Sequence, residues 1–201
     1  MLHEKIKQAT AHLHDQLEQK MFTGQIMDGS FTFKQYQTIL TVNYATHLAV
    51  EDFLFNNLSD ELCQKLNIEA RIKLPALLRD LEEINSSVSS SLPEAPEYID
   101  LNSDASILGA MYVLEGATLG GNVIAKRLKT NGQLLPYNLS YHYYQVYGDQ
   151  LGSKWKQFLE VLNAIPENEH EAAIKNAVNL FEHMATTEVA STTVILVPPE
   201  V

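Results

Sequence analysis

Two groups of residues in this sequence have the types and spacing to do chemistry together. The first is His14 with Glu18. Four residues apart on a helix, the carboxylate can approach one imidazole nitrogen and fix the ring's tautomer while the other nitrogen binds a metal. Thr10, Leu17 and Met21 share that helical face, so His14 sits at the edge of an apolar stripe. Histidine is also the common axial ligand where haem must bind oxygen. A solvated His14–Glu18 pair is the plain alternative, and His12 is a rival ligand on a less apolar face. The second group is Gly116, Gly120 and Gly121, set in Ala110-Met111-Tyr112-Val113-Leu114-Glu115-Gly116-Ala117-Thr118-Leu119-Gly120-Gly121-Asn122-Val123. Each interior glycine costs a helix roughly 1 kcal/mol relative to alanine, so about 3 kcal/mol needs a local reason. Gly116 and Gly120 share a face without β-carbons, against which something flat and bulky can lie. Gly120-Gly121 also permits a kink. Close helix–helix packing through small residues is the competing explanation.

Helices must position both groups. Residues 2–20 read as a helix, with Leu2, Ile6, Ala9, Leu13 and Leu17 at helical spacing. Residues 22–31 break the pattern. Thr32 is the expected N-cap of a second long helix to about Asn57, with Tyr36, Ile39, Leu40, Tyr44, Leu48 and Phe53 inward. Shorter helices are expected over 60–66 and over 70–85, the latter entered through Pro75. The Ser- and Pro-containing stretch 86–103 reads as a surface loop. Ser103 or Asp104 caps an apolar helix running to about Lys129. The tyrosine-rich residues 131–147 read as loop leading into a helix, and 148–163 and 167–189 as helices. The tail, 190–201, has no assignment. Without βαβ alternation or internal repeats, the expected fold class is all-α, one helical-bundle domain over 1–201.

Composition narrows the partners. The 201 residues carry a net charge of −11 and 45% hydrophobic side chains, enough for a full core and unfavourable for nucleic acid. The single cysteine, Cys63, excludes an internal disulfide and suits a reducing cytosol. The opening Met-Leu-His-Glu-Lys lacks a leader's apolar core, and no apolar run approaches about 18 residues. The expected location is therefore cytoplasmic, without a membrane partner.

Leu2…Ala9-Thr10-Ala11-His12-Leu13-His14-Asp15-Gln16-Leu17-Glu18 and Tyr112-Val113-Leu114-Glu115-Gly116-Ala117-Thr118-Leu119-Gly120-Gly121 resemble the proximal and distal helices of the bacterial heme oxygenase family. The likeness is to the branch that supplies biliverdin to bacterial phytochromes. Weaker matches are Leu74-Pro75…Leu78…Asp80-Leu81 and Tyr147-Gly148…Gly152…Trp155…Phe158, and the whole spans about residues 2–189. The resemblance implies a helical bundle of the heme oxygenase type. It also implies opening of haem, with oxygen and external electrons, to biliverdin, carbon monoxide and ferrous iron. Haem would be substrate and cofactor, and a ferredoxin or a reductase the electron donor. By position, His14 would ligate iron, with Glu18 as its partner and Thr10 beside it. Gly116, Gly120, Gly121 and Thr118 would form the distal wall, and Lys7 and Tyr112 would meet the haem propionates. Glu115 is expected to point away from haem. Two departures matter: Ala117 stands where many eukaryotic members have aspartate, and Thr118 where another bacterial branch has asparagine. The proton-delivering network is therefore not assigned by the sequence.

Three other readings compete. A di-iron bundle needs paired Glu-x-x-His motifs, and only Glu167-Asn168-Glu169-His170 fits. A thiaminase-like relative would use Cys63 as nucleophile, but no histidine lies near it in sequence. A non-catalytic haem carrier or sensor would keep the same pocket.

Overall fold

The computed structural model describes residues 1–86 and 94–187. Among the described residues there are nine α-helices, several 3₁₀ turns and no strand, which matches the all-α expectation. The tail assignment and the end of the expected 167–189 helix lie outside the described residues, as does much of the expected 86–103 loop.

Helix α1 (Leu2–Lys20) buries Leu2, Ile6, Thr10 and Leu13 along one stripe. At its end the Lys20 ammonium donates to the carbonyls of Met184 and Ala185. A cation there complements the negative end of α9 (His170–Thr186). Residues 22–31 are not simply a break, because Thr23–Asp28 forms a short helix, α2, closed by Gly29 at φ +82°. Helix α3 (Phe33–Asn57) starts at Thr32 with a capping box to Gln35, as Thr32-x-x-Gln35 dictates. Helix α4 (Asp60–Leu66) and a 3₁₀ turn (Ile68–Arg71) lead into α5 (Leu74–Glu83), shorter than the expected 70–85.

The expected continuous helix to Lys129 is two helices. Helix α6 (Asp104–Ala117) is capped by the Ser103 hydroxyl and ends at Thr118; α7 (Gly121–Lys129) begins after a turn over 118–120. By length and hydropathy alone 104–129 could span a bilayer, contrary to the sequence expectation. Here, however, the stretch is broken and its apolar window is 56% buried in the protein. Residues 131–147, expected as loop leading into a helix, contain short 3₁₀ turns at Leu135–Tyr137 and Tyr143–Gln145, and they bury Tyr141, Tyr143, Tyr144 and Tyr147. Helix α8 (Leu151–Leu162) follows.

Two apolar clusters result. One joins α1, the end of α3, α6, α8 and α9; the other joins α2, the start of α3, α5, α7 and the tyrosine segment. Helix α9 packs against both α1 and α6. The α6–α9 approach uses Gly109, where a β-carbon would collide with the Ala173 backbone.

Candidate functional site

Two adjoining cavities, of about 550 and 380 Å³, open along α1, and both are lined by His14, Leu17, Gly116 and Ala117. Either volume lies in the range of small-molecule and cofactor sites. The larger also meets Lys7, Thr10, Tyr112, Trp155 and Phe181. The smaller reaches Gly120, Asn43, Tyr143, Tyr144 and Met184.

The His14 side chain is 57% exposed, with Nδ1 3.6 Å from Glu18 Oε1. That is an ion-pair distance but too long for a hydrogen bond. The ring centroid lies 6.2 Å from that of Phe181. His12 is exposed and lines neither cavity. Lys7 and Tyr112 both line the larger cavity. The Tyr112 ring is 5.6 Å from Trp155, and burial raises its phenol pKa. Thr10 lines the same cavity, but its hydroxyl donates to the Ile6 carbonyl.

The glycine wall differs from expectation in two places. A β-carbon at Gly116 would meet nothing within 4 Å, and Gly120 lines the smaller cavity. Gly121 does not line either cavity. It is buried, and a β-carbon there would stand well under 3.0 Å from the Tyr144 carbonyl oxygen. Its missing side chain admits the tyrosine segment, so at this position close packing is the correct explanation. Thr118 lines neither cavity; it is buried with its hydroxyl donated to the Glu115 carbonyl.

Glu115 faces away from the cleft into a buried ionic cluster. Its carboxylate accepts from Arg71 and Lys73 at 2.6 Å each and from Tyr147 at 2.8 Å. Burial alone would raise its pKa, but the two cations hold it below the ordinary value. The Lys73 and Leu74 backbone N–H groups also donate to Glu51, which lies 2.5 Å from His47 Nδ1. Burial pushes the His47 pKa down against the pull of Glu51. His47 Nε2 lies 3.3 Å from the Tyr143 hydroxyl, which lies 3.2 Å from Asn43 Oδ1. Sequence reasoning missed this whole assembly. The only signals were Asn43, His47 and Glu51 at four-residue spacing on α3, and the run of tyrosines.

The competing readings find little footing. Cys63 Sγ lies against the Leu58 and Phe55 carbonyls, and burial raises its pKa, the reverse of an activated thiol. Glu167 pairs with Lys5, and His170 Nε2 faces the Ile165 carbonyl. Exposed His14, Asp15 and Glu18 could converge on an ion, as could Asp80, Glu83 and His142. For haem, the donor set fits: the His14 imidazole lining both cavities, apolar walls, and Gly116 of α6, without a β-carbon, lining the same two cavities.

No solved structure matches the chain. A curated relative, named heme oxygenase, from Xanthomonas campestris pv. campestris (strain 8004), is 31% identical over 118 residues, 58% of this chain and 67% of the relative. The family model described as heme oxygenase matches residues 1–187. With a match of that extent over a helical cleft faced by an imidazole and a bare glycine, the chain belongs to the heme oxygenase family.

Proposed function

We propose that this protein degrades haem to biliverdin, carbon monoxide and ferrous iron, holding haem between His14 and the Gly116–Gly120 face. The observation that carries the reading is that the His14 imidazole and Gly116 line both cavities of the cleft. Bound haem supplies the redox and oxygen chemistry by which its own ring opens. The protein's residues bind, orient and exclude. His14 would hold the iron, with the Glu18 carboxylate 3.6 Å from its Nδ1 to steady the ring. Trp155, Phe181 and Leu17 give the slot its apolar walls. The missing side chain at Gly116 lets the ring lie close to the α6 backbone. Lys7 and Tyr112, lining the larger cavity, would be the partners of the haem carboxylates. The electrons come from a ferredoxin or a reductase, and the biliverdin suits supply to a bacterial phytochrome.

A hemin titration followed by reductant and oxygen tests this reading. The Soret band should appear stoichiometrically, then decay to a biliverdin spectrum with carbon monoxide released. His14→Ala should lose the histidine-ligated spectrum and the turnover. A stable Soret band under reductant and oxygen would instead identify a haem carrier.

A further inference from the structure

Asp80 and Glu83 stand three residues apart on α5 and so share a face. His142 comes to them from the tyrosine segment, and one ligand atom from each of the three lies within 4.8 Å of the other two. The carboxylates are already oriented. Asp80 Oδ1 accepts from the His142 backbone N–H at 2.7 Å, and Oδ2 from the Tyr143 N–H at 2.9 Å. Glu83 Oε2 accepts from the Ser140 N–H at 2.8 Å, which leaves Oε1 facing His142 Nε2 at 3.4 Å. That separation is long for a hydrogen bond. It is close to the ligand–ligand edge of a tetrahedral metal site, about 3.3–3.4 Å for bonds of about 2.0–2.1 Å. Asp80 is fully buried, and among the described residues no lysine or arginine pairs with it or with Glu83. The Tyr36 hydroxyl, on α3, is an independent sign. It is fully buried without a hydrogen-bond partner among the described residues, and its ring meets Tyr141 edge-on at 5.5 Å. The charges that act on it include those of Asp80 and Glu83. A buried hydroxyl in that position calls for a polar neighbour, which the fourth ligand of a cation supplies.

We propose that Asp80, Glu83 and His142 form a site for a divalent transition-metal cation of the zinc class, which fastens the tyrosine segment to α5. One imidazole with two carboxylates suits such a cation, whereas magnesium and calcium prefer oxygen ligands throughout. Two carboxylates balance its charge, and the buried Asp80 gains the countercharge that no lysine or arginine provides. Three protein ligands leave the fourth position to a water, with the Tyr36 hydroxyl as that water's partner. The three ligands line neither cavity of the cleft, so the ion's role is structural. Its reach is longer than its own site. Tyr143 and Tyr144 directly follow His142 and line the smaller cavity, so fastening His142 also stiffens that wall.

The proposal stands apart from the haem reading and is tested on the full chain without haem. Calorimetric titration with Zn²⁺ should show a site for one ion per chain. His14→Ala should retain it, which sets aside the exposed group of His14, Asp15 and Glu18. His142→Ala and Glu83→Gln should each weaken binding by at least about tenfold, the lower bound even for loss of an outer-shell partner. Both variants keep the backbone bonds to Asp80, so helicity should be retained. Co²⁺ in place of Zn²⁺ should give the visible bands of a four- or five-coordinate ion, and His142→Ala should lose them. At about a hundredfold excess of Zn²⁺ over its dissociation constant, wild-type melting should rise by about 5–11 °C. Melting of His142→Ala should stay where it was, and Mg²⁺ or Ca²⁺ should not reproduce the rise. No Zn²⁺ binding by the wild type, equal affinity in wild type and both variants, loss of the site in His14→Ala, or an equal rise with Ca²⁺ would each overturn the site and leave the haem reading standing.

Discussion

The sharpest test of the cleft assignment compares the same added methyl group at two glycines five residues apart. At Gly116 a β-carbon meets nothing within 4 Å, and the backbone is helical, one residue before the end of α6. Alanine there should be neutral or stabilising, by up to about 1 kcal/mol. At Gly121 the same atom would stand well under 3.0 Å from the Tyr144 carbonyl oxygen, and the obstacle is backbone, so the whole tyrosine segment must shift. Overpacking of that kind costs about 1–3 kcal/mol. The two variants should therefore differ by about 1–4 kcal/mol. At roughly 2–4 °C per kcal/mol for a chain of this length, the melting temperatures should separate by about 2–16 °C. Hemin affinity should order them the other way. Gly116→Leu places a branched side chain in the slot, and each 1.4 kcal/mol of lost contact is about tenfold, so affinity should fall at least about tenfold with the fold intact. Thermal melts and hemin titrations on Gly116→Ala, Gly116→Leu and Gly121→Ala settle the matter. If Gly121→Ala melts with the wild type while Gly116→Ala melts lower, the glycine facing the cleft has been misassigned.

Other outcomes follow from the same geometry. His14→Ala should abolish the histidine-ligated spectrum whereas His12→Ala, exposed and off the cavities, should not; absorption spectra of the hemin complexes decide. Lys7→Ala with Tyr112→Phe should keep ligation but yield mixed biliverdin isomers where the wild type gives mainly one, by family resemblance the α isomer; an unaltered isomer ratio on chromatography would refute the propionate role. Lys73→Met should cost about 1.5–3 kcal/mol in urea unfolding, because the buried Glu115 carboxylate loses one charged donor while keeping Arg71 and Tyr147. Asp80 is held at a pKa of about 6 by burial, against an ordinary 3.8, despite accepting from the His142 and Tyr143 backbone. Its folded-state pKa is raised, so its contribution is greatest below pH 4 and is lost as pH rises through 6. Asp80→Asn should flatten that segment of the stability–pH curve.

Much of the fold was legible because local chemistry settled it. Thr32 and Ser103 announced their caps, and the α1 stripe was plain in its spacing. Of the candidate site, the sequence singled out His14 and Gly116, which line both cavities, Lys7, Thr10 and Tyr112, which line the larger, and Gly120, which lines the smaller. What escaped was set by tertiary approach. Gly109 and Gly121 are small because backbone from distant segments presses on them. A lysine and an arginine in Arg71-Ile72-Lys73 read as surface residues, since long cations are seldom fully buried. They are buried here because Glu115, more than forty residues on, supplies the countercharge. Nothing in a local window carries that pairing.

That pairing also bears on why the glycine wall faces where it does. Glu115 immediately precedes Gly116, and its side chain is fixed by three donors from two other segments. Successive residues on a helix are turned by about 100°, so pinning Glu115 against Arg71, Lys73 and Tyr147 sets the direction in which Gly116 must face. The same Lys73 holds Glu51 through its backbone N–H, and Glu51 holds His47 behind Tyr143. One buried cation thus ties the helix that shapes the slot to the residues that line the smaller cavity. A hydrophobic replacement of similar volume could match or exceed the ionic cluster in stability. It would lack the directional bonds by which Arg71, Lys73 and Tyr147 fix the rotation of α6 at Glu115.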